Sequence, residues 1–117
     1  MSSYQNHQDL ALSSALMGLA PAEARAFVQL KAVVERKDGV IPEKYRELIS
    51  IAVALTTQCA YCIDLHTKNA SAAGVSQEEL AETVFIAAAL RAGATVGHGL
   101  LALRLFGAAE QGQTHRV

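Results

Sequence analysis

Cysteine occurs twice in the 117 residues, three positions apart in Cys59-Ala60-Tyr61-Cys62, and His66 follows four residues later. Two thiols at that spacing at a helix start can close into a small disulfide. They can equally be held as thiolates by the unpaired N–H groups and the macrodipole of the helix. A thiolate is a usable nucleophile at neutral pH, and a second thiol one turn away can attack a mixed disulfide or a sulfenic acid on the first. His66 falls on the same helix face as Cys62, where an imidazole can carry protons to and from sulfur. The same residues admit other readings. The thiols can be ordinary buried side chains, and the histidine can be satisfied by a backbone carbonyl. Cys59, Cys62 and His66 also supply three of the four ligands that a structural zinc needs, with His98 or Glu47 as the fourth, but no second Cys/His pair is present.

Glu47 is the further candidate. It stands twelve residues before Cys59 on an apolar segment. If the chain reverses near residues 57–58, Glu47 lies about ten residues behind the turn and His66 about eight ahead of it. At about 1.5 Å of rise per residue the two are then nearly level across an antiparallel helix pair. The competing reading is a solvated face, because Glu43, Lys44, Arg46 and Glu47 fall together in the first turns.

The elements that would position these residues all read as helices. Residues 8–18 form a short one. Pro21 opens a second over 21–37, with Phe27, Leu30, Val33 and Val34 on one face and Asp38-Gly39 at its end. Pro42 opens a third, apolar from Leu48 to Leu55 except for Ser50, and so expected to be central and buried. Thr56-Thr57-Gln58 suits a turn better than a helix. A fourth helix runs from Cys59 to Ala73 and stops at Gly74. Ser76 and Glu79 form a capping box for a fifth, with Val75 and Leu80 as its hydrophobic staple. That helix is expected to end near Arg91 or Ala92, broken by Gly93, with a sixth over 94–107 and a frayed polar tail over 109–117. No period-2 strand and no repeat appears, so the chain reads as all-α, one domain of about six helices.

Composition narrows the function classes. Hydrophobic residues make up 51%, aromatics 5%, and there are 22 Ala and no Trp. A small domain cannot bury so much apolar surface alone, so a homo-oligomer is expected. Ten basic and eleven acidic residues give a net charge of −1, with no basic patch, which argues against nucleic acid as partner. The longest strongly apolar stretch is read as Leu48 to Leu55, too short for a bilayer. No Lys or Arg precedes Arg25, so the segment Leu10 to Ala20 lacks the charged start of a signal peptide. The expectation is a cytoplasmic protein with no membrane partner. In a reducing compartment a Cys pair points to catalysis or metal rather than to a structural disulfide.

The run Glu47-Leu48-Ile49-Ser50-Ile51-Ala52-Val53-Ala54, followed by Cys59-Ala60-Tyr61-Cys62-Ile63-Asp64-Leu65-His66, resembles the AhpD-like alkylhydroperoxidase core of the carboxymuconolactone decarboxylase superfamily. So do Gly74-Val75-Ser76-Gln77-Glu78-Glu79-Leu80-Ala81-Glu82 and His98-Gly99. The resemblance covers about residues 20–107 and matches one half of the longer two-repeat members. It implies an all-α fold assembled as a trimer or hexamer. It implies further that Cys62 attacks a hydroperoxide, that Cys59 resolves and exchanges with a dithiol reductant of protein or lipoyl type, and that His66 and Glu47 relay protons. No metal or other cofactor is implied. Some members carry His before the second Cys where this chain has Tyr61; either the relay is then weaker or the Tyr61 hydroxyl hydrogen-bonds in its stead. Members that decarboxylate a lactone lack the Cys pair. The alternatives are such a lyase, using His66, His98 and Glu47, or a metal-binding or purely oligomeric module.

Overall fold

The computed structural model describes residues 5–114. Among them are a 3-10 turn, His7–Leu12, and five α-helices: α1 Ser13–Leu19, α2 Pro21–Val34, α3 Glu43–Thr57, α4 Ala60–Ala72 and α5 Gln77–Thr114. No strand occurs among the described residues, so the fold is all-α. The third helix is the hub: α4 and α5 pack against it, the 3-10 turn touches α4, and α1 packs on α2.

The reversal at residues 57–58 occurs as the sequence predicts. Thr56 and Thr57 both donate their hydroxyls to the Val53 carbonyl, at 3.0 and 2.8 Å. Gln58 adopts the left-handed conformation at φ 59°, and the Cys59 amide returns to the Ala54 carbonyl at 2.9 Å. Bonds of this kind satisfy the last carbonyls of α3 and turn the chain straight into α4. At the far end of α4, Gly74 takes φ 87° and the Val75 amide bonds the Ala70 carbonyl at 3.0 Å. The capping box is present in both directions: the Ser76 amide donates to Glu79 Oε1 at 2.9 Å, and the Glu79 amide to Ser76 Oγ at 3.0 Å.

Four expectations need correction. The second helix ends at Val34 rather than Lys37. The Arg46 guanidinium reaches back from α3 to take the Val34 carbonyl and the Ile41 carbonyl, each at 2.7 Å, and so draws the chain off the helix axis. Gly39 makes room for it, since a Cβ there would collide with the guanidinium. The third helix is central, yet only one of its faces is buried: Glu47, Ile51 and Ala54 are enclosed, while Ile49 and Val53 remain about half exposed. Gly93 does not break the fifth helix, which runs unbroken from Gln77 to Thr114 through the expected sixth helix and most of the expected tail. A lone glycine costs a helix only about 1 kcal/mol, and thirty-seven helical neighbours outweigh that. Residues 115–117 lie outside the described residues. Lastly, Leu48–Leu55 is not the longest apolar stretch. Gln77–Gln113 is long and apolar enough, by length and composition, to cross a membrane.

The consequence of α5 is an open shape. The radius of gyration is 20.4 Å and the longest extent 64 Å, against roughly 13 Å of radius for a compact domain of about 100 residues. Phe85, Ile86, Leu90, Val96, Leu100, Leu103 and Phe106 are all more than 60% exposed.

Candidate active site

The two cysteines begin the site. Cys59 is the N-cap of α4, and its sulfur accepts the Cys62 amide at 3.3 Å. The extended backbone of Cys59 (φ −96°, ψ 95°) folds its side chain over the first turn toward Cys62. The Cα atoms stand 5.3 Å apart, and the sulfurs are joined in a disulfide. Both residues are half-buried. The Cys62 N–H at the helix start thus acts on the Cys59 sulfur, so a thiolate released there on reduction keeps a donor.

One turn beyond Cys62, His66 points to the inner side of α4 and is 8% exposed. Its Nδ1 lies 2.7 Å from Glu47 Oε2, and Glu47 is itself 7% exposed. The antiparallel geometry therefore places Glu47 and His66 level across α3 and α4, and the solvated-face reading of Glu47 does not hold. A carboxylate this deep needs a partner, and the imidazole supplies it. An ionised carboxylate only accepts, so Nδ1 bears the hydrogen of this bond.

Other expected neighbours are elsewhere. No hydrogen bond joins His66 to either sulfur among the described residues; the imidazole Nε2 instead faces Glu35 Oε1 at 3.9 Å. Glu35 caps the end of α2 and is also paired with Lys31. Sequence reading passed over Glu35. Its placement depends on α2 stopping at Val34, whose carbonyl accepts from Arg46 of α3. Tyr61 does not replace a relay histidine: its hydroxyl donates to Asp9 Oδ2 at 2.6 Å. That bond, formed by a carboxylate acceptor, holds the phenol above its ordinary pKa. Asp64 receives Lys68 at 3.1 Å and His7 at 2.5 Å, and these two donors, Lys68 first, hold its carboxyl below the usual range. His98 sits exposed on α5, with no hydrogen bond or ion pair to the site. Among the described residues no group of three or more His, Cys, Asp or Glu is arranged to hold a metal ion. A cleft of about 390 Å³ opens beside Tyr61, walled by Leu10, Leu12 and Leu16 with Asp9 and Ser13.

An all-helical fold that carries a Cys-x-x-Cys pair at a helix start, backed by a buried Glu–His pair, defines a thiol-bearing helical domain of the kind expected from the sequence. Residues 21–105 match the model of the carboxymuconolactone decarboxylase family, and the chain belongs to that family. It is also 41% identical over 78 residues to "Uncharacterized protein 4 in cox locus" of Paracoccus denitrificans; the match covers 67% of this chain and 69% of that protein.

Proposed function

We propose that the chain is a thiol-dependent alkylhydroperoxide reductase and disulfide oxidoreductase. The observation that carries this reading is the Cys59–Cys62 disulfide at the start of α4, one turn from a buried Glu47–His66 pair. In the reduced protein the Cys62 thiolate attacks the O–O bond of a hydroperoxide. One oxygen stays on sulfur as sulfenic acid, and the other leaves as the alcohol after taking a proton. Cys59 then attacks that sulfur, expelling water and closing the disulfide. A dithiol restores both thiols and is itself oxidised to a disulfide, so hydroperoxide plus dithiol give alcohol, water and disulfide. His66, with Nδ1 held by Glu47 and Nε2 on the side of Glu35, is proposed to take the Cys62 proton at Nε2 and to return it to the leaving oxygen.

The exposed apolar surface of α5 supports assembly of several copies, proposed to be a trimer or hexamer; a cytoplasmic location is part of the same proposal. A lyase using His66, His98 and Glu47 has less support, because His98 stands exposed on α5. The test is steady-state consumption of an alkyl hydroperoxide with a dithiol such as dihydrolipoamide. Turnover is expected in the wild type and none in Cys62→Ser. Turnover that persists in Cys62→Ser would refute the assigned chemistry.

A further inference from the structure

The Nδ1 side of His66 is accounted for by Glu47, but the Nε2 side is the one that must receive a proton from sulfur, and it faces a second carboxylate. We infer that Glu35 is a positioning residue of the thiol site: it keeps a fixed negative charge beside Nε2, so that a proton taken from Cys62 is held between two carboxylates. This deepens the thiol-redox reading above and rests on it.

Three observations support the assignment. First, the geometry is two-sided: Glu47 Oε2 lies 2.7 Å from Nδ1 and Glu35 Oε1 3.9 Å from Nε2. Second, the Glu35 carboxylate is not a free surface group. Lys31 holds the same Oε1 from one turn earlier in α2. The stretch after Val34 is tied to α3 by the Arg46 bonds to the Val34 and Ile41 carbonyls. Third, burial is graded. The Glu47 and His66 side chains are 9% and 11% exposed, while that of Glu35 is 34% exposed. Glu35 is therefore also the ionisable group that connects the enclosed pair to solvent.

The electrostatic consequence follows from charge alone. With the Lys31 ammonium counted beside Glu35, the four groups carry one net negative charge when the imidazole is neutral and none when it is an imidazolium. A proton that arrives at Nε2 from Cys62 then lies beside the Glu35 carboxylate, which offers it an acceptor on the side away from Glu47. The charged groups around this unit are Glu47 and Arg46 from α3, Lys31 from α2, and Cys62 with His66 from α4. Arg46 is engaged with carbonyls and Lys31 with Glu35, so neither replaces the carboxylate.

The test reads the alkylation rate of Cys62 by iodoacetamide between pH 5.5 and 9.5. It uses the reduced full chain in a Cys59→Ser background, and compares Glu35→Gln, Glu35→Asp and Glu47→Gln. Glu35→Gln is expected to slow alkylation roughly three- to tenfold near pH 6.5 and to reach the same plateau at high pH, which displaces the profile upward by about half to one pH unit. Glu35→Asp keeps the charge and should return the profile most of the way to wild type. A Glu35→Gln profile that overlays the wild type while Glu47→Gln is displaced overturns the role of Glu35 and leaves the relay standing. If neither variant moves the profile, the relay itself is wrong and this inference falls with it. A lowered plateau together with a lowered melting temperature would make Glu35 merely structural and also overturns the inference. Should Glu35→Gln fail to fold, the Glu35→Asp profile decides: a curve distorted toward that of Glu47→Gln despite the retained charge contradicts the proposal.

Discussion

Glu47 is the residue whose environment most constrains the chemistry. It is a carboxylate at 7% exposure, hydrogen-bonded to the His66 imidazole at 2.7 Å. Glu47→Gln is expected to retain the helical far-ultraviolet spectrum yet slow Cys62 alkylation at neutral pH about tenfold, because the imidazole loses the carboxylate acceptor that fixes its Nδ1 side. Unchanged alkylation kinetics would make the pair purely structural. The two sulfurs should also differ in behaviour. Cys62→Ser is expected to abolish hydroperoxide consumption, whereas Cys59→Ser should leave a single sulfenic acid on Cys62 that a dimedone-type trap detects by mass. The reverse pattern would exchange the assigned roles. At this scale much of the site was legible in the sequence. Residue type and the Cys-x-x-Cys-x3-His spacing singled out Cys59, Cys62 and His66, whereas helical rise left Glu47 open between pairing with His66 and a solvated face until the family resemblance favoured the pairing. Glu35 and the Tyr61–Asp9 bond were not legible, because each depends on how separate segments are brought together: Asp9 stands 52 residues from Tyr61.

Between elements, the site depends on two reversals and one tie. Gly74 at φ 87° ends α4 in a conformation that costs other residues about 1–2 kcal/mol. Gly74→Ala should therefore lower stability by roughly that amount, measured by denaturant unfolding, with the alkylation profile of Cys62 unchanged. The tie is Lys44 to Glu79, 2.7 Å apart, which joins the first turn of α3 to the start of α5. The Lys44 hydrogen bond, then the Ser76 amide, hold the Glu79 carboxyl below its usual 4.5, and Glu79 holds Lys44 above its usual 10.5. A depressed carboxylate contributes stability above its unfolded value and loses it as pH falls through the folded value. A raised lysine contributes below 10.5 and loses it as pH rises through its folded value. The tie should accordingly be intact between about pH 5 and pH 10 and release on acidification. Protection factors of the amides at the start of α5, taken relative to intrinsic exchange at each pH, should fall below pH 4.5 in the wild type and depend less on pH in Lys44→Met. Helix starts and stops were mostly readable here, since Pro42, Gln58, Gly74 and Ser76 act locally. Gly93 misled because a breaker acts only where the flanking helix cannot absorb its cost, and α5 can.

For the whole molecule, the open shape is the feature to explain. The accessible surface is 9405 Å², against about 6,100 Å² expected of a compact monomer of this mass. The excess is comparable to the area that obligate oligomers bury, and much of it is apolar residues on α2 and α5. A trimer or hexamer is expected by sedimentation at micromolar concentration in detergent-free buffer. A monomer, or a protein recovered only in detergent, would contradict this and would favour the membrane-compatible reading of α5. Composition foretold the surplus of apolar surface but not its location, because the expected break at Gly93 divided one long helix into two ordinary ones.

The central claim is that Cys59 and Cys62 are a redox couple operated by hydroperoxide. Its most direct test is a free-thiol count on the fully reduced protein before and after one equivalent of an alkyl hydroperoxide. The account predicts that two alkylatable thiols fall to none, with a loss of two hydrogens confined to the single peptide that holds Cys59 and Cys62. Two thiols that remain alkylatable after excess hydroperoxide would contradict it.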